Sequence, residues 1–281
     1  MSSILTNNGA MVALQTLKSI NNNLTKTQDM ISTGKEIATA KDGAAVWAIS
    51  KVMESDVQGF NAVSDSLSLA ESTVAVASAA AEQIVNVLGE IKELAISANS
   101  ENVDFAKIQA QITERVGQVA SITAAAQFNG SNLLATDVDG NGATSLSVVS
   151  SINRVGSGTP TAATISVNTL DFEANIDLAS DLTAIADTTT AATALGEIET
   201  FLQTAINGAA ALGASAARIK DQGEFISKLS DAMKSGVGSL VDTNMEEASA
   251  KLQALQTQQQ LGVQALSIAN QAPQTILQLF R

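Results

Sequence analysis

The 281-residue sequence predicts a mainly α protein. Its expected form is an elongated coiled-coil helical rod, with discontinuous N- and C-terminal helices that pair and a small β-hairpin region at the tip. Three observations carry this reading. Two heptad slots stay apolar without a break over residues 60–98. Both chain ends show a similar heptad, but with polar residues inside it. One stretch, 136–190, abandons helical periodicity for Gly-rich turns and alternating apolar residues.

The central helix is the clearest element. One slot reads Phe60, Leu67, Val74, Ala81, Leu88 and Ala95; its companion reads Val63, Ala70, Ala77, Ile84, Ile91 and Ala98. The alanines allow close approach of partner helices. A start near Ala44 gives residues 44–99 a length of roughly 84 Å at 1.5 Å per residue. A compact globule of this chain length has a radius of gyration of only about 19 Å, so a rod is expected. Asn102 is the expected cap of the next helix, 103–129, with Phe105, Ile108, Ile112, Val116, Val119 and Ala126 on one face. "FNGSN" ends it. "SLSVVSSI" and "TAATISVNTL" then read as a β-hairpin with Pro160 in its loop. Helix returns near 191. Leu195, Leu202, Ala209 and Ala216 fill one slot, and Ile198, Ala205, Leu212, Ile219, Ile226 and Met233 the other. "KSGVGSL" (234–240) reads as a hinge because of its two glycines.

The ends are alike. Residues 7–33 place Leu14, Leu17, Leu24 and Ile31 in heptad slots, with Asn21 and Gln28 in the remaining ones. Residues 242–272 place Leu252, Leu255, Leu266 and Ala269 there, with Gln259 and Gly262 between them. A glycine costs about 1 kcal/mol against alanine in a helix interior, so this seam is weakened by its own residues. The polar residues either set register or face water or a lumen. Three domains are expected: a terminal-helix domain of 1–40 with 241–281, a helical domain of 41–135 with 191–240, and a variable, partly β outer segment of 136–190.

Composition narrows function. The chain has no His and no Cys, which removes the commonest general base and thiolate metal sites, and no cofactor is expected. Carboxylate or Ser/Lys chemistry stays open, but no convergent set of such groups supports an enzyme. A net charge of −13 argues against nucleic acid as a partner. Residues 1–36 carry a net +1 and residues 245–281 a net 0, so the acid lies in the middle and the ends suit packing. No apolar run approaches the roughly 20 residues of a membrane span, and no cleaved signal peptide is expected at the N-terminus. Asp137, Asp139 and Asn141 alternate as in a calcium loop, but no later acid completes an EF-hand. Trp47 is read as a packing residue.

At "STGKEIATAKDGAAVWAI" (32–49), "IKELAISANS" (91–100), "AQFNGSNLL" (126–134) and "ALSIANQAPQTILQLFR" (265–281), the chain resembles bacterial flagellin, the filament subunit of the flagellum. These motifs stand in the family's order at both ends, over roughly 1–134 and 190–281. Gly43 replaces the second acid of the commoner "AKDDAAG". With Trp47, the pattern is similar to short flagellins of some alphaproteobacteria. The resemblance implies a helical homopolymer serving motility, outside the cell. It also implies export of the unfolded subunit through the flagellar export apparatus, with a secretion chaperone and a filament cap as partners.

On this resemblance, Leu14, Leu17, Asn21, Leu24, Ile31, Leu252, Leu255, Gln259, Gly262 and Leu266 are expected to pack between subunits. A hook–filament junction protein is the alternative, and a signalling coiled coil a more distant one. In members sensed by the vertebrate Toll-like receptor, the contact lies around "QRVRELA" and "QRLEEI". The matching stretches here, "GEIKELA" (89–95) and "TERVGQV" (113–119), place Glu90, Lys92 and Gly117 at its charged positions.

Overall fold

The structure is a computed structural model, and it describes residues 7–155 and 158–279, with side chains to residue 271. The outermost residues of the expected terminal-helix domain, 1–6 and 280–281, lie outside the described residues, as do the side chains of the "QAPQTILQLFR" tail beyond Gln271. Six helices and two small antiparallel sheets follow in the order α1 (Asn8–Thr33), α2 (Ala44–Ser97), α3 (Phe105–Ala125), β1 (Gln127–Phe128), β2 (Ser131–Asn132), β3 (Ser145–Asn153), β4 (Thr161–Asn168), α4 (Phe172–Asn175), α5 (Thr188–Val241) and α6 (Met245–Leu279). The chain divides into two compact units. One comprises Met1–Ser55 with Ala232–Arg281, the other Asp56–Asp231.

In the unit Asp56–Asp231, all twelve heptad residues predicted on α2 are buried, from Phe60 to Ala98. By length and composition α2 is also apolar enough to cross a membrane, contrary to the sequence-based expectation. The buried seam supplies part of that apolarity. α5 runs antiparallel beside it. Lys92 on α2 pairs with Glu199 on α5, and Ser230 donates to Asn61 at 3.5 Å. One predicted α5 slot is buried as expected at Ile198, Ala205, Leu212, Ile219 and Ile226. The other is displaced by one residue: Ala194, Phe201 and Gly208 are buried, while Leu195, Leu202 and Ala209 are half-buried. Both leucines and alanines satisfy a heptad from sequence. Only the partner surface selects between adjacent positions.

α3 begins two residues later than expected. Asp104, not Asn102, caps it, its carboxylate accepting the Lys107 N–H at 3.2 Å. An ionised acceptor at the positive helix end is the stronger cap. Lys107 holds the Asp104 carboxyl below its usual range, by side-chain and then backbone hydrogen bonding. Asn129 and Gly130, both at positive φ, turn the short β1–β2 hairpin. The predicted longer hairpin is β3–β4, with a register shift between Val149 and Ser151. It lies along the helices. Arg154 donates twice to the Asp56 carboxylate of α2, at 2.7 and 3.0 Å, and Gln222 of α5 donates to the Ser150 carbonyl at 2.8 Å. The one-turn helix α4 has no sequence signal of its own. It is built by Asp171 at φ 48°, whose carboxylate accepts the Ala174 N–H.

The hinge predicted at "KSGVGSL" is not there. α5 continues through it to Val241, and the break falls at Asp242–Asn244. Val237 and Val241 are buried, and this burial outweighs the roughly 1 kcal/mol cost of each glycine. Asn244 then caps α6, its side-chain oxygen accepting the Glu246 N–H at 3.1 Å.

Candidate assembly surfaces

In the terminal unit α1 and α6 lie antiparallel. Asn7 caps α1 through the Ala10 N–H at 3.1 Å while its amide donates to the Ala269 carbonyl at 2.7 Å. Farther along, the Gln259 amide donates to the Asn21 side-chain oxygen at 2.7 Å. A Cβ built on Gly262 would stand 3.1 Å from the Leu17 Cδ1 and 3.8 Å from the Ile20 Cδ1. Gln259 and Gly262 therefore face α1. The glycine admits Leu17, and the two amides pair with each other.

On α6 the expected seam is the observed one. Leu255 is buried, and Leu252, Gln259, Gly262, Leu266 and Ala269 are half-buried. On α1 one slot is corrected by one residue. Leu17, Leu24 and Ile31 are half-buried as expected, but their companions are Ala13, Ile20 and the buried Thr27. Leu14, Asn21 and Gln28 stand beside them, exposed. Thr27 is accommodated because its hydroxyl donates to the Asn23 carbonyl at 2.8 Å.

The pair closes at its breaks. Gly34, at φ 69°, ends α1. Its carbonyl accepts the Thr243 N–H at 3.0 Å, and the Glu36 N–H donates to the Val241 carbonyl at 2.7 Å. Lys35 reaches Glu54 of α2 at 3.0 Å, and Lys51 reaches the same carboxylate. These lysines, Lys51 first, hold the Glu54 carboxyl below its usual range.

The outer faces of this unit carry large apolar side chains among polar ones. Met11, Val12, Leu14, Ile49, Val52, Leu240, Met245, Leu261, Val263 and Ile268 are all exposed. They make up ten of the fifteen exposed large apolar side chains among the described residues, in a unit holding well under half of the chain. Clustered exposure of this kind marks an interaction surface. Most of these residues escaped the heptad reading because they lie off the seam. Their signal was a surplus of apolar residues beyond two slots per heptad.

Of the three positions that the resemblance matches to the receptor contact, the structure brings two together. Glu90 on α2 and Gly117 on α3 line one open groove, where Arg115 reaches Glu90 at 3.1 Å. Lys92 is turned away, toward Glu199 of α5. The Asp137–Asn141 turn spends its carboxylates on its own backbone: Asp137 accepts the Gly140 N–H at 2.5 Å and Asp139 the Asn141 N–H at 3.0 Å. The latter bond leads the causes that lower the Asp139 pKa.

Two family models match, the bacterial flagellin N-terminal helical region over residues 4–139 and its C-terminal helical region over 195–280. The chain belongs to the bacterial flagellins. It is similar over its whole length to flagellin FljM of Caulobacter vibrioides, at 42% identity over 99% of that protein. It is 43% identical to a flagellin of Brucella melitensis, with both chains fully covered, and 34% identical to flagellin A of Rhizobium meliloti. Among solved structures, a Bacillus cereus flagellin aligns with 56% of this chain and 86% of its own, at 18% identity and a TM-score of 0.48.

Proposed function

We infer that this flagellin is a structural subunit that polymerises into the flagellar filament and so serves motility. The observation that carries the reading is the apolar outer face of the α1–α6 pair, added to flagellin relatives that match over full length. Burying such surface is worth about 25 cal/mol per Å², and a contact that repeats head to tail without closing yields a filament. Leu14 on the outer face meets a neighbouring subunit, with Met11, Val12, Leu261 and Ile268 beside it. Leu252, Leu255, Leu266, Leu17, Leu24, Ile31 and the Asn21–Gln259 pair act indirectly, by holding the two outer faces in register. The three-part division at residues 40, 135, 190 and 240 is part of this proposal: 1–40 with 241–281 assembles, 41–135 with 191–240 supports, and 136–190 faces outward.

Export through the flagellar apparatus, a secretion chaperone, a filament cap and an extracellular location complete the reading, together with a non-enzymatic role. Support for export comes from the weak seam: Gly262 and Gln259 lower the stability of an unpartnered α6, and short helices are marginal without packing. Electron microscopy of purified protein, seeded with filament fragments, tests the central claim. Filaments are expected. Monomer persisting at high concentration with intact helical signal would refute it.

A further inference from the structure

We propose that Asn141 is a site of spontaneous deamidation, and that the folded chain directs this modification to the turn Asn141 occupies. The inference does not depend on assembly. Asn–Gly pairs occur at Asn8, Asn129, Asn141 and Asn207. Such pairs are prone to this chemistry because glycine has no Cβ to shield the attacking nitrogen. The Gly142 backbone nitrogen bonds to the Asn141 side-chain carbonyl carbon and gives up its proton. The bond from that carbon to Nδ2 breaks, and ammonia leaves with the proton. Water then opens the five-membered imide. Attack at the side-chain carbonyl gives aspartate, and attack at the main-chain carbonyl gives isoaspartate. One water is consumed and one ammonia released.

By sequence the four pairs are alike, and the structure separates them. Asn207 and Gly208 lie inside α5, where closing the ring would break the helical ladder, and Phe172 packs over Gly208. Asn129 is at φ 51° and Gly130 at φ 82°, in the turn between β1 and β2. A residue in the left-handed region carries the next nitrogen on the side away from its own Cβ, so the ring closes only if that turn opens. Asn8 begins α1, and its reactivity follows the opening of that helix.

Asn141 has none of these restraints. It is exposed, and it does not share the positive φ of Asn129. A Cβ on Gly140 or Gly142 would meet nothing within 4 Å, so no side chain covers the path from nitrogen to amide. The Asp139 Oδ1 accepts the Asn141 N–H at 3.0 Å and the Ala143 N–H at 3.4 Å. The Gly142 N–H between them forms no hydrogen bond among the described residues. The Asn141 Nδ2 donates to the Asp139 carbonyl at 3.2 Å, which leaves the amide carbon open. The two Asp–Gly pairs would form the same imide by losing water. Hydrogen bonds, from Thr39 to Asp42 and from Asn141 to Asp139, hold both carboxyls below their usual range, and an ionised carboxylate is a poor acceptor for the nitrogen.

The product alters the turn. Aspartate adds a negative charge beside Asp137 and Asp139. Isoaspartate also lengthens the backbone by one carbon, inside a turn where the Val138 N–H donates to the Ala143 carbonyl at 2.7 Å and the Asn132 N–H to the Val138 carbonyl at 2.9 Å. Val138 is buried, so the longer loop pulls against a packed residue.

The test is incubation of the full chain in mildly alkaline buffer, followed by peptide mapping with mass spectrometry. An isoaspartate methyltransferase with labelled S-adenosylmethionine marks the isoaspartate. In the folded protein Asn141 should convert at least about tenfold faster than Asn129 or Asn207, because those two must first pay for local opening. In denaturant the three rates should fall within about threefold of one another. Equal native rates, or a faster native rate at Asn129 or Asn207, would overturn the proposal, as would an Asn141 that converts only in denaturant. Isoelectric focusing in an Asn8→Gln background gives a second readout. Asn141→Gln should remove the acidic species that accumulates, since glutamine must close a slower six-membered ring, and Asn129→Gln should leave it. Survival of that species in Asn141→Gln would refute the assignment.

Discussion

A methyl group added at Gly208 would stand 2.7 Å from the Phe172 Cζ and 2.9 Å from the Leu170 Cδ1, whereas one added at Gly213 meets nothing within 4 Å. Both glycines lie in the interior of α5. Gly208→Ala should therefore destabilise the protein by about 1–3 kcal/mol through overpacking, and Gly213→Ala should stabilise it by up to about 1 kcal/mol through helix propensity. Thermal or denaturant unfolding of the two variants checks the pair; equal effects would contradict the packing of α4 on α5. Glu54 gives a pH-dependent case. Its folded pKa is lowered by Lys51 and Lys35, so its contribution is present above its ordinary value of 4.5 and is lost as pH falls through the lower folded value. Glu54→Gln should cost at most about 1 kcal/mol at neutral pH, because the pair is partly exposed. The difference from the unmodified protein should vanish at strongly acid pH. A gap that widens on acidification would reverse the sign of this argument.

At the scale of elements, the α1–α6 pair is less deeply buried than the α2 seam. Among the described residues no ion pair joins the two helices; they meet through a half-buried seam and two side-chain hydrogen bonds. α2, in contrast, buries every predicted seam residue from Phe60 to Ala95. Hydrogen exchange on a verified monomer should show fast exchange over 8–33 and 245–271 and strong protection over 60–98. Comparable protection in both would contradict the weak-seam argument. The same seam can be tightened. Leu at 262 would overpack against Leu17, but Gly262→Ala asks only a terminal methyl to move and gains helix propensity. Gln259→Leu removes one hydrogen bond and leaves Asn21 exposed to water rather than orphaned. The double variant should slow exchange in α6 about tenfold in the monomer. Impaired secretion of that variant from cells, with normal assembly in vitro, is the outcome expected if the weak seam serves export.

For the whole molecule, deletion of 1–36 or of 245–281 should leave a soluble helical protein that does not polymerise. Normal filaments from either truncation would refute the assembly role of the ends. Recognition by the vertebrate Toll-like receptor is proposed to be poor. The proposal rests on the resemblance, which sets Glu90 and Gly117 at positions where recognised flagellins use arginine and glutamate. Losing a buried charged partner costs about 2–5 kcal/mol, or roughly 30- to 5,000-fold in affinity. A reporter-cell assay with monomer should show potency lower by at least the bottom of that range, and potency equal to a recognised flagellin would refute it. Gly117→Glu has open space around it and should recover part of the response; Glu90→Arg must also contend with Arg115.

From its residues alone this chain determined its long helices, its antiparallel hairpin and its family. Periodicity sufficed for the twelve residues from Phe60 to Ala98, all but the last on α2, because an unbroken apolar heptad has one face to bury. It sufficed on α6 for Gln259 and Gly262, because Leu252, Leu255 and Leu266 frame the slots that hold them. Where two adjacent residues were both apolar, periodicity was degenerate, and the tertiary structure decided: Ala13 rather than Leu14 on α1, Phe201 rather than Leu202 on α5. The glycines of "KSGVGSL" stayed helical because Val237 and Val241 found buried places, a gain that no local propensity contains. The nearness of Glu90 to Gly117, and the turn of Lys92 toward Glu199, arise from how α2 lies against α3 and α5. Those distances are set by side chains far apart in sequence, and only packing brings them into register.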